Sequence, residues 1–391
     1  MNTNKWLLVG LAATLLFSCK KRKDITTEPN PSVKFEKSLG GALDDQAKSV
    51  LVKNNALYVF GTTKSFGEPN GDHYLLKLDL NGNILFEKTY GGALAEEGFK
   101  ILTTKDGNLL LVGSTESTTS NQKDVHVIKV DTAGNLLWEN IFGGPLDDWP
   151  NTVIETSRNE FCIVGTTESY GAGARDIYLI WVNQDGNLLS EIYHGESGID
   201  GGADLLEVEN NNLLLFGYTE NYGAVNRDLY LLKMNSLGDS IWAKIYGGND
   251  YEESQKLVKT QKGDFLLHGH SASTDPIHDM YTVKVDNTGN PIWAKNYGGT
   301  SHDGGQAMLI NSEGNYVLIA RSTSFGAGDR NIYMVTTNTN GDVLSEEVLG
   351  GSKADWGQDI LEHQGHYYIV GHSNSFSHNN DDDVYVVKYG K

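Results

Sequence analysis

Residues 96–144 read EEGFKILTTKDGNLLLVGSTESTTSNQKDVHVIKVDTAGNLLWENIFGG, and this stretch decides the fold. Residues 109–113 are apolar apart from a final glycine, which predicts a strand that is buried on both faces. The turn sequences KDGN and TAGN separate runs of strand-forming residues, as in antiparallel hairpins. The stretch therefore predicts four short antiparallel strands and no helix.

The same pattern recurs along the rest of the chain. An acidic residue follows a Gly-Gly-type turn seven times, at steps of 51 or 52 residues: Asp45, Glu96, Asp148, Asp200, Glu252, Asp303 and Asp355. A glycine of the second strand recurs in six copies, and Ala320 takes its place in the other. Head-to-tail copies of a four-stranded unit are typical of β-propellers. We predict an all-β fold, a seven-bladed β-propeller of four-stranded antiparallel blades.

The two ends of the repeat region each lack part of a unit. Residues 33–41 have the pattern of a fourth strand without the first three, and residues 383–389 have that of a third strand without the fourth. Pairing them completes the last blade in a 3+1 arrangement and removes the open sheet edges of an unclosed ring. We predict that residues 33–391 form one closed propeller domain.

The N-terminus carries an export and anchoring signal. Lys5 precedes an uncharged, largely apolar run at residues 6–17, which is too short for a comfortable membrane span. The sequence LLFSC at residues 15–19 resembles a bacterial lipobox, which implies a signal peptide over residues 1–18 and a lipid-modified Cys19. Residues 19–32 form a polar, flexible linker after the lipidated cysteine. We expect a lipid anchor in the cell envelope, in the outer membrane rather than the inner. The sequence does not decide between the periplasmic face and the cell-surface face of that membrane.

Charge limits the classes of partner. After residue 31 the chain has 26 basic and 49 acidic residues, a formal net charge of −23. Such a body repels nucleic acid and anionic lipid, so a nucleic-acid-binding role is excluded. Cys162, the other of the two cysteines, lies in an apolar run, which indicates a buried thiol rather than a disulfide. We expect a monomer.

The repeat pattern Tyr-Gly-Gly…Asp…Asp-Gly-Asn…Trp resembles a family of bacterial and archaeal secreted β-propeller repeats, many of them Bacteroidetes lipoproteins. The resemblance covers nearly the whole chain after residue 32 and implies the fold. It implies little about function, because family members are often described only as lectin-like or uncharacterised. Residues 130–138 are also similar to quinoprotein repeats, but Ser190 and Ser345 replace the fourth-strand aromatic residue, and there are seven copies rather than eight.

The seven recurring acids allow two interpretations. As a functional ring around the mouth of the central channel, their carboxylates would bind Ca²⁺ or the hydroxyl groups of a glycan. As structural residues, each would accept hydrogen bonds from backbone N–H groups of its own Gly-Gly turn. Recurrence in every blade favours the structural interpretation, because a ligand site usually breaks the symmetry of a repeat. We therefore assign neither a cofactor nor a metal site, and Ca²⁺ stays the alternative.

Residues that depart from the repeat are better candidates for ligand binding. Trp149 and Trp356 follow the recurring acid in two blades, and three arginines precede the third-strand acid or amide: Arg175, Arg227 and Arg330. Aromatic rings beside carboxylates suit sugar stacking or a protein interface. Packing between blades is the other interpretation of the two tryptophans. Histidine-based metal sites at His268 and His270, or at His378 near residues 381–383, are less favoured than a core histidine pair and a solvated acidic loop.

These features favour a lipid-anchored cell-envelope module that binds a glycan or a protein partner and is not a catalyst. No serine-centred elbow, His-Glu-x-x-His motif or phosphate-binding loop is present, so no catalytic residue is assigned. The alternative is a carbohydrate-active enzyme, a hydrolase or a lyase, that uses carboxylates on the channel face.

Overall fold

The computed structural model describes residue 30 and residues 32–273, 277–377 and 379–390. Its strands form seven separate sheets, each of four antiparallel strands, which confirms the predicted seven-bladed propeller. The predicted signal peptide, Cys19, most of the linker and His378 lie outside the described residues. The described helical structure is confined to one 3-10 turn, Glu209–Asn211.

Each blade contributes one strand to each of four concentric layers. The innermost strands are β2 Asp45–Lys53, β6 Glu96–Thr103, β10 Asp148–Glu155, β14 Asp200–Glu207, β18 Glu252–Lys259, β22 Asp303–Ile310 and β26 Asp355–His363. The second strands are β3 Ala56–Thr63, β7 Leu109–Thr115, β11 Phe161–Thr167, β15 Leu213–Thr219, β19 Phe265–Ser271, β23 Tyr316–Ser322 and β27 His366–Ser373.

The third strands are β4 Asp72–Asp79, β8 Asp124–Val130, β12 Asp176–Val182, β16 Asp228–Met234, β20 Asp279–Val285, β24 Asn331–Thr337 and β28 Asp383–Gly390. The outer strands are β1 Val33–Leu39, β5 Ile84–Tyr90, β9 Leu136–Phe142, β13 Leu188–His194, β17 Ser240–Tyr246, β21 Pro291–Tyr297 and β25 Val343–Leu349. Blades 1 to 6 are numbered from β2–β5 to β22–β25, and blade 7 consists of β26, β27, β28 and β1.

The hydrophobic core lies between adjacent blades rather than at one centre. One buried cluster joins Leu110 and Val112 of blade 2 to Ile163 and Tyr178 of blade 3. The second and third strands are apolar on both faces because each face packs against a neighbouring sheet. Cys162 is a free thiol fully buried in the cluster between blades 3 and 4.

Ring closure follows the predicted 3+1 scheme. Strand β1 pairs antiparallel with β28, with Lys37 opposite Val386 and Leu39 opposite Val384. The inner strand β2 of blade 1 contacts β26 and β27 of blade 7, so the first and last blades are joined. No helix in the described part of the chain is both long and apolar enough to cross a membrane.

Candidate functional site

The loops that join outer to inner strands and second to third strands lie on the same face of the ring. Both groups of loops surround the end of the central channel at which the inner strands begin, and we call this end the channel mouth. The tight turns between third and outer strands lie on the opposite face. The recurring acids, the two predicted tryptophans and the three predicted arginines all lie on or beside the mouth.

The seven recurring acids begin the inner strands and are almost completely buried. Asp148 Oδ2 accepts hydrogen bonds from Gly144 N at 2.7 Å and from Ser169 Oγ at 2.7 Å. Equivalent bonds from the turn amide reach the acids of the other blades: Asp45, Glu96, Asp200, Glu252, Asp303 and Asp355. This geometry is the one described by the structural interpretation, so we keep the ring as a structural proposal.

A second set of acids faces the first across the turn glycine. A side-chain carbon added at Gly40 would lie 2.5 Å from Asp383 Oδ1 and 2.6 Å from Asp45 Oδ2, so two carboxylates confine this position to glycine. The same arrangement joins the third-strand acid of one blade to the inner-strand acid of the next at five further junctions: Asp72 with Glu96, Asp124 with Asp148, Asp176 with Asp200, Asp228 with Glu252, and Asp279 with Asp303.

Burial and mutual repulsion raise the pKa of several of these carboxyl groups. Desolvation comes first for Asp228, followed by its hydrogen bond to Glu252 and the Glu252 charge, and together they raise the pKa of Asp228 to about 8. Burial and the charge of Asp148 raise the pKa of Asp124 to about 6. A carboxyl group that keeps its proton at neutral pH can donate a hydrogen bond to the carboxylate that faces it.

Both tryptophans that were predicted to bind ligand lie beside predicted arginines at the mouth. Arg175 Cζ lies 5.2 Å from the ring centroid of Trp149, and Arg330 Cζ lies 5.5 Å from that of Trp356. Both tryptophans are half-buried. The Trp356 ring also stacks on His372 with centroids 4.4 Å apart. Each arginine is therefore held over an indole, an arrangement that orients the planar guanidinium group.

The third predicted arginine lies between two tyrosines that the sequence did not single out. Arg227 Cζ lies 4.4 Å from the ring centroid of Tyr218 and 4.7 Å from that of Tyr251. Its Nη1 donates to Tyr251 Oη at 2.5 Å, and its Nη2 donates to Glu220 at 3.3 Å. Arg227 is therefore the most firmly held of the three candidate arginines.

A cluster of polar aromatic residues continues the mouth into blades 5 and 6. Glu253 accepts a hydrogen bond from Tyr251 Oη at 2.8 Å and lies 3.4 Å from His270 Nε2. Burial opposes ionisation of Glu253, but the hydrogen bond and charge of His270 outweigh it and lower the pKa to about 2. The ring of His278 lies 5.4 Å from that of His270 and 5.5 Å from that of His302.

An alignment of the seven copies contains the signal for this cluster. Glu253 occupies the position directly after the recurring acid, as Trp149 and Trp356 do, and His270 pairs with it on the second strand. Reading that second-strand position across all blades would have identified Tyr218 and His372 as well. The sequence interpretation considered His270 only as a possible metal ligand and did not relate it to the inner-strand position.

Below the mouth, charged side chains of the inner strands bridge different blades. Lys100 Nζ of blade 2 lies 3.3 Å from Asp359 Oδ2 of blade 7, and Lys256 Nζ lies 2.9 Å from Asp204 Oδ2. Burial would lower the pKa of Lys256, but the charges of Asp204 and Asp359 outweigh it and raise that pKa. These ion pairs lie inside the channel, so a ligand at the mouth would rest on a polar floor.

The candidate histidine metal sites do not assemble in the described residues. His268 is fully buried and its Nδ1 lies 3.0 Å from Thr282 Oγ1, while burial lowers its pKa to about 3. No group of three or more His, Cys, Asp or Glu side chains within the described ranges could hold a metal ion. A shallow groove of about 610 Å³ between blades 1 and 7 is lined by Asn54, Asn55 and His363, far from the mouth residues.

No family model matches the chain, so membership of the secreted propeller-repeat family stays a prediction. The regulatory protein FlaEY of Caulobacter vibrioides is 24% identical over 230 residues, which are 49% of this chain and 24% of that protein. This chain therefore spans about a quarter of the length of this curated relative.

Two solved structures illustrate how widely the fold is shared. Drosophila plexin A, in complex with semaphorin 1b, is 9% identical with a TM-score of 0.52, over 92% of this chain and 88% of that one. The α-L-arabinofuranosidase Arb93A of Fusarium graminearum is 12% identical with a TM-score of 0.51, over 74% of this chain and 91% of that one. At these identities the likeness shows the fold alone, and the fold accommodates both protein binding and catalysis.

Proposed function

We propose that the protein is a lipid-anchored binding propeller of the cell envelope and that it binds a glycan at the channel mouth. The observation that carries the proposal is the set of three arginines held against aromatic rings at the mouth: Arg175 with Trp149, Arg227 with Tyr218 and Tyr251, and Arg330 with Trp356. Aromatic faces and fixed polar groups are the elements that bind sugar rings and hydroxyl groups.

The direction of β1 supports an outward-facing mouth. The outer strands run toward the mouth, so β1 enters the ring at the opposite face, where Val33 begins it. A lipid on Cys19 would therefore attach the propeller to the membrane from the face away from the mouth. A linker over residues 19–32 would span up to about 40 Å when extended. In this arrangement the mouth is directed away from the bilayer and toward ligands in the surrounding space.

A carbohydrate-active enzyme is the second candidate because one pair of carboxyl groups at the mouth has opposed pKa shifts. Burial and then the charge of Asp44 raise the pKa of Asp382. Burial acts against ionisation of Asp44 too, but the hydrogen bond and charge of Lys64 outweigh it and lower that pKa. The backbone N–H of Asp382 donates to Asp44 Oδ1 at 3.3 Å, so the groups are neighbours. Such a split is the pattern of an acid and a base.

A glycan array combined with turnover assays on polysaccharides separates the two functions. Binding that falls in Trp149→Ala and Arg175→Gln, without cleavage of any bound glycan, supports the binding propeller. Trp242→Phe, on the outer strand, is the matched aromatic control and should bind like the wild type. Cleavage that disappears in Asp382→Asn would establish the enzyme instead. Absence of both binding and cleavage, with a protein partner captured at the mouth, would overturn the glycan assignment.

A further inference from the structure

Three basic side chains at the mouth, two from blade 6 and one from blade 1, form no ion pair with an acidic side chain in the described ranges. Arg321 lies on β23 opposite Gly304 and is exposed, and Arg330 in the next loop is also exposed. A side-chain carbon added at Gly304 would lie 3.1 Å from Arg321 Nε. Because glycine has no such carbon, the Arg321 guanidinium has room beside the inner strand. Lys48 is half-buried on the inner strand β2.

The pKa of Lys48 shows that these cations act on one another. Burial lowers this pKa first, the charge of Glu97 opposes that effect, and the charge of Arg321 lowers the pKa further. Burial and then the charge of Lys48, opposed by the charge of Asp44, lower the pKa of His372 to about 3. An ammonium group that is half-buried near a guanidinium is stabilised when an anion binds between them.

Three acidic side chains of the mouth are engaged by other groups. Their partners are basic or amide groups of the same face, in the pairs Glu97 with Lys123 at 3.1 Å, Asp44 with Lys64 at 3.0 Å, and Asp382 with Gln46 at 3.1 Å. Deeper in the channel, Lys100 and Lys256 are matched by Asp359 and Asp204. Unmatched positive charge is therefore concentrated at one side of the mouth in a protein body of net charge −23.

We propose that Lys48, Arg321 and Arg330 bind the carboxylate group of an acidic saccharide, such as a uronic acid residue. This assignment rests on the proposed glycan-binding function and names the ligand class. A guanidinium group binds a carboxylate through two parallel N–H···O hydrogen bonds, and the lysine adds a point charge. A saccharide suits the site better than a small inorganic anion because the aromatic rings of Trp149, Tyr218 and Tyr251 occupy the rest of the mouth.

Isothermal titration calorimetry with a uronic acid oligosaccharide, a neutral oligosaccharide of equal length and inorganic phosphate tests this assignment. We expect binding of the acidic oligosaccharide that weakens as salt is added. Arg321→Gln and Lys48→Gln should each raise its Kd roughly tenfold or more, the effect of one charged hydrogen-bonding group. Arg158→Gln is the matched control, because Arg158 lies on the opposite face paired with Glu160, and it should leave the Kd unchanged.

The other outcomes separate this inference from the function on which it rests. Binding of the neutral oligosaccharide that is insensitive to Arg321→Gln would overturn the acidic ligand and keep the glycan-binding function. Binding of phosphate without any saccharide would overturn the saccharide assignment. If no oligosaccharide of either kind binds, both the assigned ligand class and the glycan-binding function are contradicted.

Discussion

Paired carboxyl groups at the blade junctions are the most unusual residues of this protein. Two buried carboxylates that face each other across a glycine repel strongly in a poorly hydrated site. A single shared proton removes the repulsion and supplies the hydrogen-bond donor that the pair lacks. Blade 6 has Asn331 at the third-strand position, and an amide has the shape of a protonated carboxyl group with a permanent donor. The natural amide at one position therefore supports protonated acids at the others.

The proton on the Asp228–Glu252 pair predicts a pH-dependent stability. The native state keeps this proton up to about pH 8, whereas the unfolded chain loses it near the ordinary pKa of 3.8. Between these values the native state binds more protons than the unfolded state, so the free energy of unfolding falls as pH rises. The slope is about 1.4 kcal/mol per pH unit for one retained proton. Thermal unfolding from pH 5 to 9 should show a shallower decline in Asp228→Asn than in the wild type.

Two further variants complete this measurement. Asn331→Asp should add a pH-dependent loss of stability, because it creates at blade 6 the carboxyl group that the other blades have. Asp185→Asn, at an exposed turn position, should give a curve parallel to that of the wild type. Parallel curves for Asp228→Asn and the wild type would show that this pair holds no proton at neutral pH.

The sequence predicted the inner-strand acids and the hydrogen bonds of their own turns, but not the acids that face them. The third-strand acids recur visibly, yet each one meets the inner-strand acid of the following blade. That meeting depends on how the loop between outer and inner strands crosses the blade junction. A residue pattern read one repeat at a time does not contain this geometry.

At the scale of elements, outer strands are held by the tight turn of the next blade. Trp138 Nε1 donates to Gln184 O at 3.0 Å, and a side-chain carbon at Gly186 would lie 2.7 Å from the Trp138 ring. Gly186 has a φ of +82°, which also favours glycine. The two serines at this aromatic position are now explained. In blade 7 the third strand β28 and the outer strand β1 are not consecutive in the chain, so the turn that joins these strands in the other blades is missing and Ser345 faces no glycine turn.

Blade 3 replaces the docking aromatic in a different way. Ser190 pairs with Trp181 on the neighbouring third strand, where five other blades have a lysine. The Trp181 ring and Ile192 contact the space above Gly238 that the outer-strand aromatic occupies elsewhere. The aromatic group has therefore moved one strand inward rather than been lost. The sequence showed the serine but not the compensation, because the two positions are adjacent only through strand pairing.

This exchange predicts non-additive mutations. Trp181→Lys should destabilise the protein by about 3 kcal/mol, because it removes a buried ring and places a charge at the blade junction. Ser190→Trp should be nearly neutral in the wild type but should recover part of the loss in the Trp181→Lys background. Urea unfolding of the four proteins measures the coupling. Strictly additive free energies of unfolding would show that the two positions do not share the space above Gly238.

At the scale of the whole molecule, the repeat predicted blade number and ring closure because both follow from counting strands. Counting strands does not predict the charged interior of the channel. Lys100 of blade 2 and Asp359 of blade 7 lie 259 positions apart and come within ion-pair distance only after blade 7 has closed on blade 1, which lies between their two blades. Closure thus creates the polar channel floor as well as the last sheet.

Closure by β1 gives the final prediction, which concerns cooperativity. Deleting residues 33–39 exposes β28 as an open edge and uncovers core side chains packed against Phe35 and Leu39. We expect a large fall in melting temperature and a broad transition, because each blade is stable only between two neighbours. A circular permutant that moves residues 30–40 behind residue 391 through a short turn keeps every strand pair and is the matched control. It should melt near the wild-type temperature with a sharp transition. A deletion variant that melts as sharply and at the same temperature as the permutant would show that β1 does not hold the ring closed.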